Sequence, residues 1–135
     1  MTRRRAQRGQ SLVEMALVLP ILLLIVMGIF DLGRAIYAMN AVANSAREAA
    51  RLAIVDQKVT AVVDEGKDSA LGLDPAAINV AFTIPDCGTV KIGCTAAVTV
   101  DYQWSALTPI IGSFIGPIPL ASTTEMPIER VFTSP

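Results

Sequence analysis

The sequence predicts an α+β fold in which one long N-terminal helix packs on a small antiparallel sheet. Two observations predict it. Apolar residues recur every three or four positions through the alanine-rich segment 32–55, which is the helical period. After residue 75 the period falls to two in three separate stretches, which indicates strands. A chain of 135 residues has room for one small domain of this kind plus an appendage.

The N-terminal end of the chain has the pattern of a membrane segment. Residues 12–30 form an apolar run in which Glu14 is the one charged residue, and the run is long enough to cross a hydrocarbon core of about 30 Å. The positive-inside rule places the N-terminus in the cytoplasm and the remainder of the chain outside. The rule rests on the four arginines that precede the run: Arg3, Arg4, Arg5 and Arg8.

The apolar run has three other interpretations: a cleaved secretory signal, a plain membrane anchor and a buried core helix. Its exit reads GIFDLGRAIYAMN, which lacks the small-residue cleavage site of a secretory signal. A core helix needs no arginines ahead of it. A membrane-spanning helix is therefore favoured over a secretory signal and a core helix. The interpretation of this helix as a plain membrane anchor remains open.

The helical pattern continues beyond the membrane segment. We predict a basic leader over residues 1–9, a long helix over 10–55 and an extracytoplasmic domain over 56–135. The transmembrane part of the helix is expected at 12–30, where Pro20 is tolerated. An apolar stripe is expected to pack the second half on the domain: Ile36, Met39, Val42 or Ala43, Ala46, Ala50 and Ala53.

The outer domain begins with a short helix and continues with strands. The helix is expected over residues 60–71, with Gly72 at its C-terminal stop. Alternating apolar residues predict strands at 78–84, 98–104 and 120–126, and residues 128–132 are expected to add an edge strand.

Two cysteines flank the turn between the first two predicted strands. Cys87 and Cys94 allow one intramolecular pairing, and the location outside the cytoplasm is oxidising. A disulfide is therefore predicted, with free thiols as the alternative. The spacing differs from that of a C-x-x-C redox motif.

An apolar segment with three prolines, residues 107–120, follows the second strand. One interpretation is a loop folded over the sheet. The other is an exposed apolar patch that docks a partner or rests on the bilayer. Trp104, just ahead of it, is expected in the core.

No group of residues in the sequence points to catalysis. Histidine is absent, and no nucleophile motif, phosphate-binding glycine loop or metal-ligand cluster is present. Asp64, Glu65 and Asp68 are expected to form a solvated helix face. We therefore expect no enzyme activity, no cofactor, no metal site and no small-molecule substrate. The basic leader is short and adjoins a membrane segment, which argues against nucleic-acid binding.

The residues GQSLVE at 9–14 resemble the class III signal peptides of type IV pilins and pseudopilins. In that pattern a glycine after a basic leader is followed, five residues on, by a glutamate and an apolar helix. Residues 8–53 as a whole resemble the TadE-like pseudopilins of the tight-adherence (Flp) pilus machinery of bacteria. YQWSALTPIIG and PLASTTEM, nearer the C-terminus, are loosely similar to the same family.

The resemblance implies a pilin-like protein of the bacterial inner membrane, a minor pseudopilin that acts in pilus biogenesis. It implies cleavage between Gly9 and Gln10 by a prepilin peptidase, which makes Glu14 the fifth mature residue. Glu14 would then pair with the new amine, or simply reach the headgroup region. The implied partners are the peptidase, other pseudopilins, inner-membrane assembly proteins and membrane lipid. The alternative is an uncleaved single-pass anchor that presents a small binding domain.

Overall fold

A computed structural model describes residues 3–131, with side chains from residue 10 to residue 131. The fold is α+β with a three-stranded antiparallel sheet, which confirms the predicted fold class. A short 3-10 turn precedes the first strand. The elements follow in the order α1 (Arg3–Ala53), α2 (Val59–Ser69), β1 (Ile78–Thr83), β2 (Thr95–Trp104), α3 (Pro109–Ile115) and β3 (Ile118–Pro127).

Helix α1 is continuous, as predicted, but it begins at Arg3 rather than at residue 10 and ends at Ala53 rather than at residue 55. The leader consists mainly of arginine, alanine and glutamine, which favour helix, so nothing stops the helix at the start of the apolar run. Side chains 10–27 are all exposed, and Pro20 lies inside the helix. Within the described residues, α1 is the one helix long and apolar enough to cross a membrane.

The second half of α1 packs on the domain through small residues. The predicted stripe is partly wrong, because Ile36 and Met39 are exposed. The sheet and α2 approach α1 closely, so small side chains occupy the interface and the larger apolar ones point away from it. The buried face consists of Ala38, Ala41, Val42, Ser45, Ala46, Ala49, Ala50 and Ala53.

The sheet has the order β1-β2-β3, with β2 in the centre. The predicted alternation is confirmed in β2, where Val98, Val100 and Trp104 are buried. In the antiparallel register Val100 lies opposite Val80 of β1 and Ser122 of β3. β3 begins at Ile118, inside the segment expected to be a connection. The proline at position 119 is compatible with this because β3 is an edge strand.

Two expected boundaries are wrong. Helix α2 ends at Ser69, and Gly72 lies in the following turn with φ of +75°. Residues 128–131 form no strand, because Glu129 and Arg130 both donate backbone N–H bonds of 3.1 Å to the carbonyl of Ile54. The chain therefore folds across the end of α1. Residue 132 lies outside the described residues.

The domain has two distinct ends along α1. The proximal end adjoins the apolar half of α1 and carries the turn after α2 and the connection between β2 and β3. The distal end lies at Ile54 and carries residues 128–131 and the connection between β1 and β2, whose Gly93 donates a bond of 2.9 Å to the Ile128 carbonyl. Proximal and distal therefore denote distance from the apolar run.

Candidate functional site

The predicted cleavage position lies inside α1. The backbone of Gly9 and Gln10 is helical, and so is that of the four leader arginines, Arg3, Arg4, Arg5 and Arg8. The side chains of residues 3–9 lie outside the described part of the structure. Glycine is the residue of this stretch that favours helix least, by about 1 kcal/mol relative to alanine. Within residues 3–10, position 9 is therefore the residue that contributes least to helix stability.

Glu14 is exposed on α1, one turn after Gln10. The two side chains line the same shallow surface depression together with Val13 and Leu17. Four residues of helix correspond to a rise of about 6 Å. The ion pairs Arg34–Asp31 and Arg51–Glu48 of the described side chains, residues 10–131, do not involve Glu14. Glu14 thus presents a carboxylate, without an ionic partner in this part of the chain, on an otherwise apolar surface.

Asp31 joins α1 to the connection that leads into α3, and sequence reasoning missed it. Its side chain is buried at the end of the apolar run, with 4% of the residue exposed. Its two carboxylate oxygens accept backbone N–H bonds from Leu107 at 2.9 Å and from Thr108 at 3.0 Å. Arg34 lies 3.4 Å away on the next turn. The available signal was the spacing, because residue 31 precedes buried Ala38 by two helical turns.

The surroundings of Asp31 favour its charged form. Hydrogen bonding to Thr108 and to the backbone N–H of Leu107, together with the Arg34 guanidinium, holds the pKa of Asp31 below its ordinary value of 3.8, although burial acts in the opposite direction. The carboxylate is therefore ionised at neutral pH and acts as a clip between α1 and the proximal end of the domain.

A groove of about 400 Å³ lies beside this clip, between α1 and the proximal end of the sheet. Phe30, Arg34 and Tyr37 line it from α1, and Tyr102 and Trp104 line it from β2. Trp104 is buried, as expected, and its indole N–H has no hydrogen-bond acceptor within the described residues. The groove is mainly apolar, with one cation at its edge.

The remaining predicted residues lie on the domain, away from Glu14. Cys87 and Cys94 are joined in a disulfide at the distal end. The three acidic residues of α2 are all exposed, as a solvated face requires: Asp64, Glu65 and Asp68. The structure therefore separates a helix-borne site near residues 9–14 from a domain without contact to it.

The family model described as TadE-like protein matches residues 9–51 of this chain. The match begins at the glycine before the predicted cleavage position and ends two residues before the end of α1. No curated protein and no solved structure matches the chain.

Proposed function

We propose that this chain, which residues 9–51 assign to the TadE-like family, is a minor pseudopilin of tight-adherence (Flp-type) pilus assembly. The family implies a role connected with this pilus. The observation that carries the finer assignment is Glu14, a single carboxylate on the exposed apolar face of α1, one turn after the predicted new N-terminus.

In this proposal α1 crosses the bacterial inner membrane once. Its exposed apolar side chains within residues 12–27 support a lipid environment because no other element of the described structure covers them. The arginine-rich leader supports a cytoplasmic N-terminus, and the domain then lies outside the cytoplasm. A disulfide in the domain is in keeping with an oxidising compartment.

A prepilin peptidase removes the leader by cleaving between Gly9 and Gln10. Cleavage needs extended backbone, so the helical residues around Gly9 unwind first, and glycine lowers the cost of that step. The product carries an ammonium group at Gln10 in the first turn of a shortened α1. Glu14 lies one turn further along, on the same face of the helix as Gln10.

Glu14 then has two sources of stabilisation. The positive end of the helix dipole favours a carboxylate in the first turn. The new ammonium group, on the same chain or on a neighbouring subunit, neutralises its charge. A carboxylate in the bilayer costs about 3 kcal/mol on insertion scales, and pairing offsets this cost rather than exceeding it. We therefore assign Glu14 to the axial register between subunits, as a single buried polar residue fixes register in coiled coils.

The role is structural rather than enzymatic in this proposal. The chain has no histidine and no nucleophile motif, and in this proposal the one reaction it takes part in is cleavage by the peptidase, as a substrate. Its partners are the peptidase, other pseudopilins and the inner-membrane proteins of pilus assembly.

Processing is tested by the intact mass and N-terminal sequence of the protein purified from membranes, with and without its cognate prepilin peptidase. We expect a chain that begins at Gln10 only when the peptidase is present. A chain that begins at Met1 or Thr2 under both conditions contradicts the proposal and favours the uncleaved anchor.

The role of Glu14 is tested by Glu14→Ala, with Glu65→Ala on the exposed face of α2 as the matched control. We expect both variants to insert into membranes like the wild type. We expect Glu14→Ala alone to lose co-purification with the pilus-assembly proteins. Equal co-purification of the two variants would rule out an assembly role for this carboxylate.

A further inference from the structure

We propose that α3 and Leu107 ahead of it form a foot that inserts into the outer leaflet of the lipid bilayer. The foot contacts the region of the leaflet in which lipid headgroups meet acyl chains. The inserted side chains are Leu107, Ile110, Phe114 and Ile115. This inference rests on the membrane placement of α1 in the proposed function, but it does not depend on cleavage after Gly9.

The large apolar side chains of the foot are exposed. Phe114 is 87% exposed and Leu107 is 69% exposed, and Ile110 and Ile115 are exposed by more than half. Residues 102–124 contain no charged side chain, so no charge opposes contact with lipid here. A contiguous exposed apolar patch on a domain indicates an interaction surface.

The foot lies at the level at which the apolar run ends. A Cβ placed on Gly28 would lie 3.6 Å from Cδ1 of Ile111, so α3 sits directly against α1 at Gly28. Gly28 is two residues before the end of the run 12–30. If α1 spans the bilayer, α3 is therefore at the membrane surface, and its exposed side chains continue the apolar surface of the span.

The height of the foot is fixed by hydrogen bonds. The Asp31 carboxylate accepts one hydrogen bond from the backbone N–H of Leu107 and one from that of Thr108, the two residues that immediately precede α3. Because Asp31 is one residue beyond the run, the carboxylate holds the start of α3 at the boundary of the span. A foot held in this way sets the depth of the domain above the membrane.

The backbone of the foot suits a membrane surface. Its helical turns satisfy their own polar groups: Gly112 N–H donates to the Thr108 carbonyl at 2.8 Å, and Gly116 N–H donates to the Gly112 carbonyl at 2.9 Å. The Ser113 hydroxyl donates to the Ile110 carbonyl at 3.0 Å. Internal satisfaction of this kind is what insertion next to hydrocarbon requires. Lipid is the occupant that the adjoining apolar surface of α1 already implies.

The test places a tryptophan at the foot and measures its contact with acyl chains. Trp104 is the single tryptophan, so Trp104→Phe provides a silent background. Phe114→Trp is compared with Ile92→Trp, which lies at the distal end and is similarly exposed at 70% in the wild type. Each full-length variant is placed at one chain per nanodisc of phosphatidylcholine and phosphatidylglycerol, with either brominated or ordinary acyl chains.

We expect brominated lipid to quench most of the emission of Phe114→Trp and little of that of Ile92→Trp. Equal quenching of the two positions overturns the proposal. A second result also overturns the proposal: Phe114→Trp is not quenched, and its emission shifts to the blue when each disc holds several chains. A second copy of the chain would then cover α3. Leu22→Trp, in the middle of the run, reports on the span itself. Leu22→Trp quenched with Phe114→Trp unquenched refutes the foot alone, whereas an unquenched Leu22→Trp refutes the membrane placement as well.

A second measurement needs no substitution. In wild-type protein in the same discs, a nitroxide on the lipid acyl chain is expected to broaden the NMR signals of Ile110 and Phe114 and to leave those of Ile92 sharp. Sharp signals at all three residues overturn the proposal even if the Trp104→Phe background fails to fold.

Discussion

The contact of α2 with the core leads to a prediction for Gly66→Ala. Gly66 is buried where α2 meets α1 and β1, and its carbonyl accepts a hydrogen bond from the Ser45 hydroxyl. A Cβ at this position would lie 3.0 and 3.1 Å from the two methyl carbons of Val80 and 3.4 Å from Cβ of Ala49. Both Val80 methyl groups are involved, so rotation of that side chain does not relieve the contact.

Two effects of opposite sign determine the magnitude. Alanine favours a helix interior over glycine by about 1 kcal/mol. Overpacking of a close-packed core costs about 1–3 kcal/mol. Because Val80 is held in a strand paired with β2 and α2 is tied to Ser45, the overpacking term is expected to win. The free energy of unfolding should fall by about 1 kcal/mol, which lowers the Tm by roughly 4 °C.

Urea unfolding of the full chain in mild detergent, followed by Trp104 fluorescence, measures this change. An unchanged m-value shows that the compactness of the two states is the same. Gly33→Ala is the matched control, because no atom lies within 4 Å of a Cβ at Gly33, and no loss is expected there.

A double-mutant cycle with Val80→Ala isolates the contact. Val80→Ala alone should cost roughly 2 kcal/mol and should cost about 1 kcal/mol less in the Gly66→Ala background, since the new methyl group fills the vacated space. A Gly66→Ala variant as stable as the wild type would refute the reasoning.

Three further predictions concern the disulfide, the clip and the turn after α2. Reduction of Cys87–Cys94 opens a loop between residues seven positions apart and should lower the free energy of unfolding by about 2–3 kcal/mol, and an unchanged urea midpoint would contradict this. The pKa of Asp31 in the folded state is below its unfolded value of 3.8. The ionised carboxylate therefore stabilises the fold fully above pH 3.8, and this stabilisation is lost as the pH falls through the folded-state pKa. The Tm should therefore drop on acidification below about pH 4, and less so in Asp31→Asn; identical pH slopes would disprove the role of Asp31. Tyr37→Phe removes a 2.9 Å hydrogen bond to the Leu71 carbonyl and should cost about 0.5–1 kcal/mol, and a urea midpoint equal to that of the wild type would argue against that bond.

The elements that depend on local pattern were predictable from the sequence. The continuous helix follows from composition and a sustained helical period. The alternation of Val98, Val100 and Trp104 follows from the pleat of a strand with one buried face. Both signals are present within a few residues of chain, so no knowledge of tertiary partners was needed.

The features that depend on distant partners were not predictable in the same way. The buried face of α1 uses alanines because α2 and the sheet approach closely. Sequence reasoning placed Ala46, Ala50 and Ala53 on this face correctly, but it also included the larger Ile36 and Met39, which are exposed. Asp31 gains its role from Leu107 and Thr108, which lie 76 and 77 residues away along the chain. Residues 128–131 do not continue as a strand because the backbone N–H groups of Glu129 and Arg130 bond the Ile54 carbonyl. In each case a long-range contact decided the local conformation.

The features of the candidate site were likewise predictable where they depend on local sequence and not where they depend on distant contacts. The spacing of Gly9, Gln10 and Glu14 is visible in the sequence, and the helix places the last two on one face. The apolar segment 107–120 allowed either a covering loop or an exposed patch, and the structure has an exposed patch on a short helix. Which of the two forms the segment takes depends on whether another element already packs on the sheet, and α1 and α2 do so.

The passage of α1 from the apolar run into the domain without a break has a mechanical consequence. A flexible linker would let the domain swivel, but here residues 31–53 belong both to the helix and to the core, and Asp31 clips the proximal loop to the same rod. Rotation of the apolar half of α1 about its axis therefore turns the domain by the same angle. Torque applied at one end is delivered at the other, over about 66 Å of helix between Gln10 and Ala53. If the apolar segment lies in a bilayer, a protein that binds the domain also fixes which side of that segment faces its neighbours, and much of the orientational entropy of that encounter is lost before contact begins.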